Sequence, residues 1–216
     1  MNEPQRPAPV AGEAERWDAR YAHPKFVYGY RPNDFLVDNA LMLRRCSRVL
    51  CLGDGEGRNG VWLAEQGHRV TSIDLSSVGV AKARLLASER RVSIDAHVGD
   101  LVEWLRLDPA AQGPWDAVVM IFVHLPPEER RQVADLVTPR LVPRGLLLLE
   151  AFTPAQRQLG TGGPSDERLL LTRDRVLHDW PGMQLDIRLT DRRIFEGMGH
   201  QGLGSVIQVL GQPRAA

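Results

Sequence analysis

Three glycines, Gly53, Gly55 and Gly57, follow directly on the apolar run Val49-Leu50-Cys51-Leu52, and Arg58 and Asn59 come next. Glycine makes turns closed to other residues and lets a ligand touch backbone. At the carboxyl edge of a first strand, such a loop is where open α/β sheets bind ligands. Asp74 stands 21 residues beyond Gly53, the spacing and place at which a carboxylate accepts hydrogen bonds from a ribose diol. Asp100 follows a third apolar run in the same topological position. Together the three loops outline a cleft the size of adenosine. His124 ends a fourth run, Ile121-Phe122-Val123. An unperturbed imidazole titrates at about 6.5, so His124 can serve as a base or orient an acceptor. A loop histidine bonded to backbone accounts for it equally well.

Two nucleotide chemistries compete for the loop. Residues Gly55 to Gly60 match the dinucleotide fingerprint G-x-G-x-x-G, but Gly53 already breaks the chain two residues earlier. Asp54 and Glu56 would also put negative charge where a pyrophosphate needs backbone donors. No Gly-Lys-Ser/Thr follows, so the loop is not a Walker A loop. A cofactor carrying adenosine without phosphate suits these charges better. S-adenosylmethionine, with a cationic sulfonium and ammonium, is such a cofactor.

The elements that must position these residues alternate regularly. Strands are expected over Arg48 to Leu52, His68 to Asp74, Val92 to Val98, Trp115 to Val123 and Leu146 to Phe152. Helices are expected over Asn59 to Gln66, Ser77 to Arg90, Leu101 to Leu107 and Pro127 to Leu141, with another from Asn33 or Asp34 through Leu43. Such alternation builds right-handed crossovers and a mostly parallel sheet. After a Gly-rich loop and a helix over Leu171 to Trp180, Gln184 to Thr190 and Ser205 to Leu210 alternate as strands. The short connector Asp191 to His200 leaves little room for a crossover helix, so the last strand is expected to be antiparallel.

These residues resemble class I S-adenosylmethionine-dependent methyltransferases from Trp17 to Leu210, within the small bacterial tellurite-resistance and thiopurine methyltransferase group. The turn Leu141-Val142-Pro143-Arg144-Gly145 also resembles a signature of that class, with Arg144 in place of its first glycine. The resemblance implies a Rossmann-like, doubly wound, seven-stranded sheet in the order 3-2-1-4-5-7-6, its last strand antiparallel, with helices on both faces. It implies S-adenosylmethionine as cofactor and S-adenosylhomocysteine as product. The loop Gly53, Asp54, Gly55, Gly57 and Asn59 would pass under the methionine part. Asp74 with Leu75 would hold the ribose, Asp100 and Leu101 would face the adenine, and Ile121 would end the fourth strand beside the cofactor. Cys51 stands where many relatives have an acid, so the cofactor ammonium needs another partner. Trp17, Tyr21, Tyr28 and Gly29 fall in an N-terminal aromatic lid, residues 14–45, with Tyr28 and Gly29 toward the methionyl end and Trp17 and Tyr21 toward the acceptor. Aromatic faces attract a sulfonium; these rings can equally seal the open edge of the sheet.

On the acceptor side, His124, Tyr21 and Arg58 are the catalytic candidates. Glu150, inside an apolar strand, must be paired or lie at a wet edge, and Arg58 is its expected buried partner. The loop Thr153 to Pro164 can close over an acceptor. Arg192, Arg193 and His200 can bind an anionic acceptor, or belong to a solvated connector. No strong acid–base pair is legible, which points to a soft sulfur, selenium or tellurium nucleophile methylated by in-line displacement. An oxygen or nitrogen acceptor, or a catalytically inactive cofactor-binding protein, remains as an alternative.

Composition bounds the partners. The chain has 216 residues, with 27 Lys plus Arg against 27 Asp plus Glu. Zero formal net charge supplies no global field for nucleic acid or anionic lipid. The expected partner is a small-molecule acceptor, with no nucleic acid and no membrane, for a monomer or weak homodimer. Two cysteines, no secretory leader pattern and no metal-ligand spacing point to a reducing cytoplasm and no metal site. Residues 14–216 are expected to form a single domain, after a disordered tail from Met1 to Glu13.

Overall fold

Each short apolar run becomes a strand, and the helices that follow the second and third strands are started by side-chain caps. The computed structural model describes residues 12–214. Its strands are β1 (Arg48–Leu52), β2 (Arg69–Asp74), β3 (Asp95–Val98), β4 (Trp115–Ile121), β5 (Leu141–Phe152), β6 (Met183–Glu196) and β7 (His200–Pro213). They form one sheet in the order β3-β2-β1-β4-β5-β7-β6, and only β7 runs antiparallel to its neighbours. The expected strand order and reversed last strand are both present.

The helices are α1 (Glu13–Tyr21), α2 (Asp34–Asn39), α3 (Arg58–Glu65), α4 (Ser77–Arg90), α5 (Leu101–Leu107), α6 (Pro127–Val137) and α7 (Arg173–Asp179). Asn33, Ser76, Asp100 and Thr172 each accept a first-turn N–H of the helix they precede. A cap of this kind stabilises its helix by about 1 kcal/mol. Leu50, Val118 and Leu147 face a cluster built with Trp104 of α5, Val133 of α6 and Val176 of α7. Val49, Val119 and Leu148 face the other way, against Leu36 of α2 and Leu63 of α3. The central strands are therefore covered on both faces, which is why they read as unbroken apolar runs.

Three boundaries differ from expectation in ways that matter for the site. β4 ends at Ile121, because Phe122 turns into the left-handed region at φ 55°. Asp191 to His200 is not a connector: β6 runs to Glu196, β7 starts at His200, and only residues 197–199 turn. β5 pairs with β7 across Leu147–Phe152 and Val206–Gly211, so apart from the Thr153 N–H donated to Ser205 O at 3.0 Å the hairpin arms 191–196 and 200–205 pair with each other beyond the carboxyl end of β5. The helix expected through Leu43 ends at Asn39 and continues as a 3-10 turn to Met42. The expected N-terminal tail lies outside the described residues except for Gly12, a turn, and Glu13, which starts α1.

Candidate active site

The glycine loop is held from below by two carboxylates, buried Asp74 and half-buried Asp54. Asp74, at the end of β2, accepts from Gly55 N at 2.8 Å and from Ser76 N at 2.9 Å. Burial pushes its carboxyl up to about 6, against the pull of those two N–H groups. Asp54 accepts from Gly60 N, in the first turn of α3, through both oxygens at 3.2 Å. Burial raises Asp54 to about 7; the Gly60 N–H opposes this, and neighbouring Asp74 adds to it. Above the loop, a Cβ on Gly55 would lie 2.6 Å from the Tyr21 hydroxyl, and one on Gly53 would lie 2.8 Å from Val123 Cγ2. Both glycines have positive φ, 56° and 62°. Tyr21 and Val123 thus wall the mouth of a loop that only glycine can form.

The lid is fastened to that loop. Glu56, 4% exposed, accepts from Val27 N at 2.7 Å and pairs with Lys82 at 2.8 Å. Val27 O in turn accepts from Met198 N and Gly199 N in the hairpin turn, at 2.8 and 3.0 Å. Asn59 Oδ1 accepts from Asn33 N at 2.9 Å. Asp18 of α1 accepts from the Ser76 hydroxyl and from Val78 N, at the start of α4. Lid, glycine loop and hairpin tip therefore form one hydrogen-bonded body.

A buried ionic network lies beneath the hairpin. Glu150, fully buried, accepts from Arg192 at 2.5 and 3.1 Å, from Asn33 at 2.7 Å and from Gln208 at 2.6 Å. Arg58 pairs instead with Glu196, at 2.8 Å. Glu196 also accepts from Asn33 at 2.9 Å and meets His200 Nδ1 at 3.3 Å. The expected Arg58–Glu150 pair is corrected to Arg192–Glu150. The two glutamates lie on different strands, and Arg192 shares a register with the buried face of β6 that its polar sequence context conceals.

Comparison with known proteins decides what this arrangement belongs to. Residues 49–145 match the family model described as the methyltransferase domain. That stretch is just under half of the chain. Glycine N-methyltransferase of Rattus norvegicus is 33% identical over 118 residues, which cover 49% of this chain and 40% of that protein. The chain spans about two fifths of the length of the curated relatives it matches. Among solved structures, one from the conversion of a disulfide bond into a thioacetal group in echinomycin biosynthesis superposes with a TM-score of 0.72 at 16% identity. It covers 93% of this chain and 91% of that one. TehB from Haemophilus influenzae superposes at 0.65 and 17% identity, covering 93% of this chain and 67% of that one. These likenesses establish the class I methyltransferase fold.

The residues beside the glycine loop fit S-adenosylmethionine. Asp74 supplies a carboxylate beside the loop, half-buried Leu75 follows it, and Val123 and Tyr21 pack where a Cβ on Gly53 or Gly55 would lie. Asp100 caps α5 through Glu103 N at 2.9 Å and is followed by buried Leu101. Buried Ile121 ends β4 beside Val123. Asp54, Asn59 and Arg58 are engaged with protein: they hold α3, the lid and the hairpin. Arg20 lies 5.6 Å from the ring centroids of both Trp17 and Tyr28, so a guanidinium already occupies the faces expected to attract a sulfonium. Gly29 packs its α-carbon side against the backbone of Gly197, fixing the lid to the hairpin turn.

The acceptor-side segments do converge. His124 stacks on Phe152 at 5.7 Å and 5°. Phe122 meets both Phe152, at 4.6 Å, and His200, at 4.8 Å, while Tyr28 meets His200 at 4.7 Å and Tyr21 edge-on at 6.3 Å. Both ring nitrogens of His124 are shut off from solvent and make no well-formed hydrogen bond among the described residues, although the Leu169 backbone lies close enough to favour the protonated ring. Burial pulls its imidazole down to about 4, so the ring is neutral at pH 7. The loop Thr153 to Pro164 is pinned rather than free: Gln156 accepts from Ser205 N at 2.9 Å, and Thr161 donates to Leu203 O at 2.5 Å. Arg193 is exposed, on the hairpin face opposite Arg192, so the expected anion site at Arg192, Arg193 and His200 is not assembled. An open cavity of about 470 Å³ lies between Thr153, Arg173, Leu189 and Asp191, away from the glycine loop, whose mouth Tyr21 and Val123 fill. Among the described residues, no helix is long and apolar enough to cross a membrane.

Proposed function

We propose that this chain transfers the methyl group of S-adenosylmethionine to a small-molecule acceptor by in-line displacement. The carrying observation is the Asp74–Gly55 contact of 2.8 Å, which joins the acid at the end of β2 to a glycine loop walled by Tyr21. The bound cofactor would supply an activated methyl group on a sulfonium, an excellent leaving group. Asp74 would accept from the ribose diol, the loop Gly53 to Gly57 would carry the methionine part, and Leu101 with Asp100 would border the adenine. Catalysis then rests on positioning and exclusion of water by Tyr21, Tyr28, Phe122 and Phe152.

The acceptor atom is a soft sulfur, selenium or tellurium nucleophile. Apolar ring walls and a His124 imidazole held near 4 support it, since such an atom needs less help from a strong base than an alcohol does. The identity shared with glycine N-methyltransferase favours a second reading, an amine acceptor. The chain acts on no nucleic acid, in keeping with its zero net charge, and works in the cytoplasm as a monomer or weak homodimer.

Calorimetry comparing S-adenosylmethionine, S-adenosylhomocysteine and a nicotinamide dinucleotide tests the cofactor; binding of the dinucleotide alone would overturn the reading. Incubation with labelled methyl donor and thiols, selenite, tellurite, catechols and small amines then separates the two acceptor classes.

A further inference from the structure

His200 starts β7, on the inner face of the overhanging hairpin, and is 7% exposed. Its Nδ1 lies 3.3 Å from Glu196 Oε2. A carboxylate only accepts, so Nδ1 carries the proton and Nε2 keeps its lone pair. Nε2 finds no partner among the described residues, yet it is not among the ring nitrogens sealed from solvent, as both of His124 are. The ring sits in a cage of Tyr28, Phe122 and Phe152 at 4.7 to 5.1 Å. A second observation falls on the same spot. Phe122 holds a left-handed φ of 55°, uncommon for a bulky residue and found where structure enforces it at working sites. That turn sets the Phe122 ring against His200, while the next residue, Val123, lies over Gly53. Two adjacent residues, Phe122 and Val123, thus touch His200 and the glycine loop respectively.

We propose that His200, oriented by Glu196, takes the proton of an S–H acceptor as its sulfur is methylated. The inference rests on the function proposed above. The thiol gives its proton to Nε2 and a sulfur lone pair to the methyl carbon, whose former bonding pair returns to the cofactor sulfur. The imidazolium proton leaves to water after product release. Glu196 favours the protonated ring from the hairpin; Arg58 of α3 and Arg20 of α1 oppose it, with Tyr28 and His124 as the remaining titratable neighbours. Burial pulls the imidazole below its ordinary value, so the free protein holds it neutral at pH 7. The soft acceptor expected from the sequence therefore meets a base that its linear pattern did not display.

The test compares 2-mercaptoethanol, protonated at neutral pH, with 4-nitrobenzenethiol, already ionised there. His200→Gln is expected to slow methylation of the first by about 100-fold, to change the second by less than about threefold, and to leave S-adenosylhomocysteine affinity unchanged. Equal losses on both thiols, or no loss on either, would overturn the proposal. Two measurements on the wild-type protein need no variant. The ligand-free 15N imidazole spectrum should show His200 with Nδ1 protonated, and an Nε2–H tautomer would overturn it. The wild-type pH–rate profile should fall with acid for 2-mercaptoethanol and stay flat for 4-nitrobenzenethiol; parallel profiles would refute it. Wild-type protein that binds S-adenosylhomocysteine but methylates neither thiol sinks this inference alone, whereas failure to bind that ligand sinks the proposed function itself.

Discussion

Arg58, in the first turn of α3, donates to Glu196 at the tip of the β6–β7 hairpin at 2.8 Å, with both side chains less than a tenth exposed. This pair ties the helix that follows the glycine loop to the strand that overhangs it. Burial by itself would raise the Glu196 carboxyl, but its contacts with His200 and Arg58 hold it down at about 2. Its stabilising contribution is therefore complete above the ordinary value of 4.5 and fades as pH falls toward 2. Removing one partner of a buried pair leaves the other charge uncompensated. Glu196→Ala should cost about 3–5 kcal/mol in urea unfolding at pH 7. A loss under about 1 kcal/mol would mean that the pair is solvated in solution.

Asp74 should govern cofactor affinity through its charge. Asp74→Asn keeps the shape but removes an ionised acceptor, and should weaken S-adenosylhomocysteine binding by about 1.5–3 kcal/mol. Because burial lifts this carboxyl to about 6, the affinity of the wild-type protein should also fall as pH drops below that value. Calorimetry across pH 5 to 8 reads both effects, and a pH-independent affinity would remove Asp74 from the ribose site.

Asp54 acts on stability with the opposite sign. Its folded value of about 7 lies above the ordinary 3.8, so the folded state binds the extra proton. That contribution is complete below about 3.8 and is lost as pH rises through about 7, at most about 1.4 kcal/mol per pH unit. Asp54→Asn cannot ionise, and should flatten this part of the pH dependence in urea titrations. An unchanged slope would assign the effect elsewhere.

His124 is expected to be replaceable by an apolar ring. It stacks on Phe152, and its two nitrogens are buried without a well-formed hydrogen bond among the described residues. His124→Phe should raise stability by about 1 kcal/mol by removing unsatisfied polar atoms, and leave cofactor affinity alone. A thermal melt and a binding titration check this. Destabilisation would mean that a water or a backbone group holds the imidazole.

Much of the scaffold was readable from local pattern. β1, α4 and α5 fall on the expected residues because their signals are local: an apolar run ending in Gly53, and caps at Ser76 and Asp100 one residue before each helix. The glycine loop and Asp74 were legible for the same reason, since their spacing is set by one strand, one helix and one turn. The strand order came with the family resemblance, not from periodicity. What tertiary structure alone decided is the acceptor side. Arg192 and Glu196 read as solvated polar residues because β6 is an edge strand with few apolar positions beyond Thr190, and their partners Glu150 and Arg58 lie 42 and 138 residues away. Only Gly197 and Gly199 between alternating residues hinted at a hairpin turn there. Ion pairing is set by distance in space and by exclusion of water, neither of which leaves a period in the chain. A buried charge network and the histidine it orients become visible only when the hairpin folds back over the sheet.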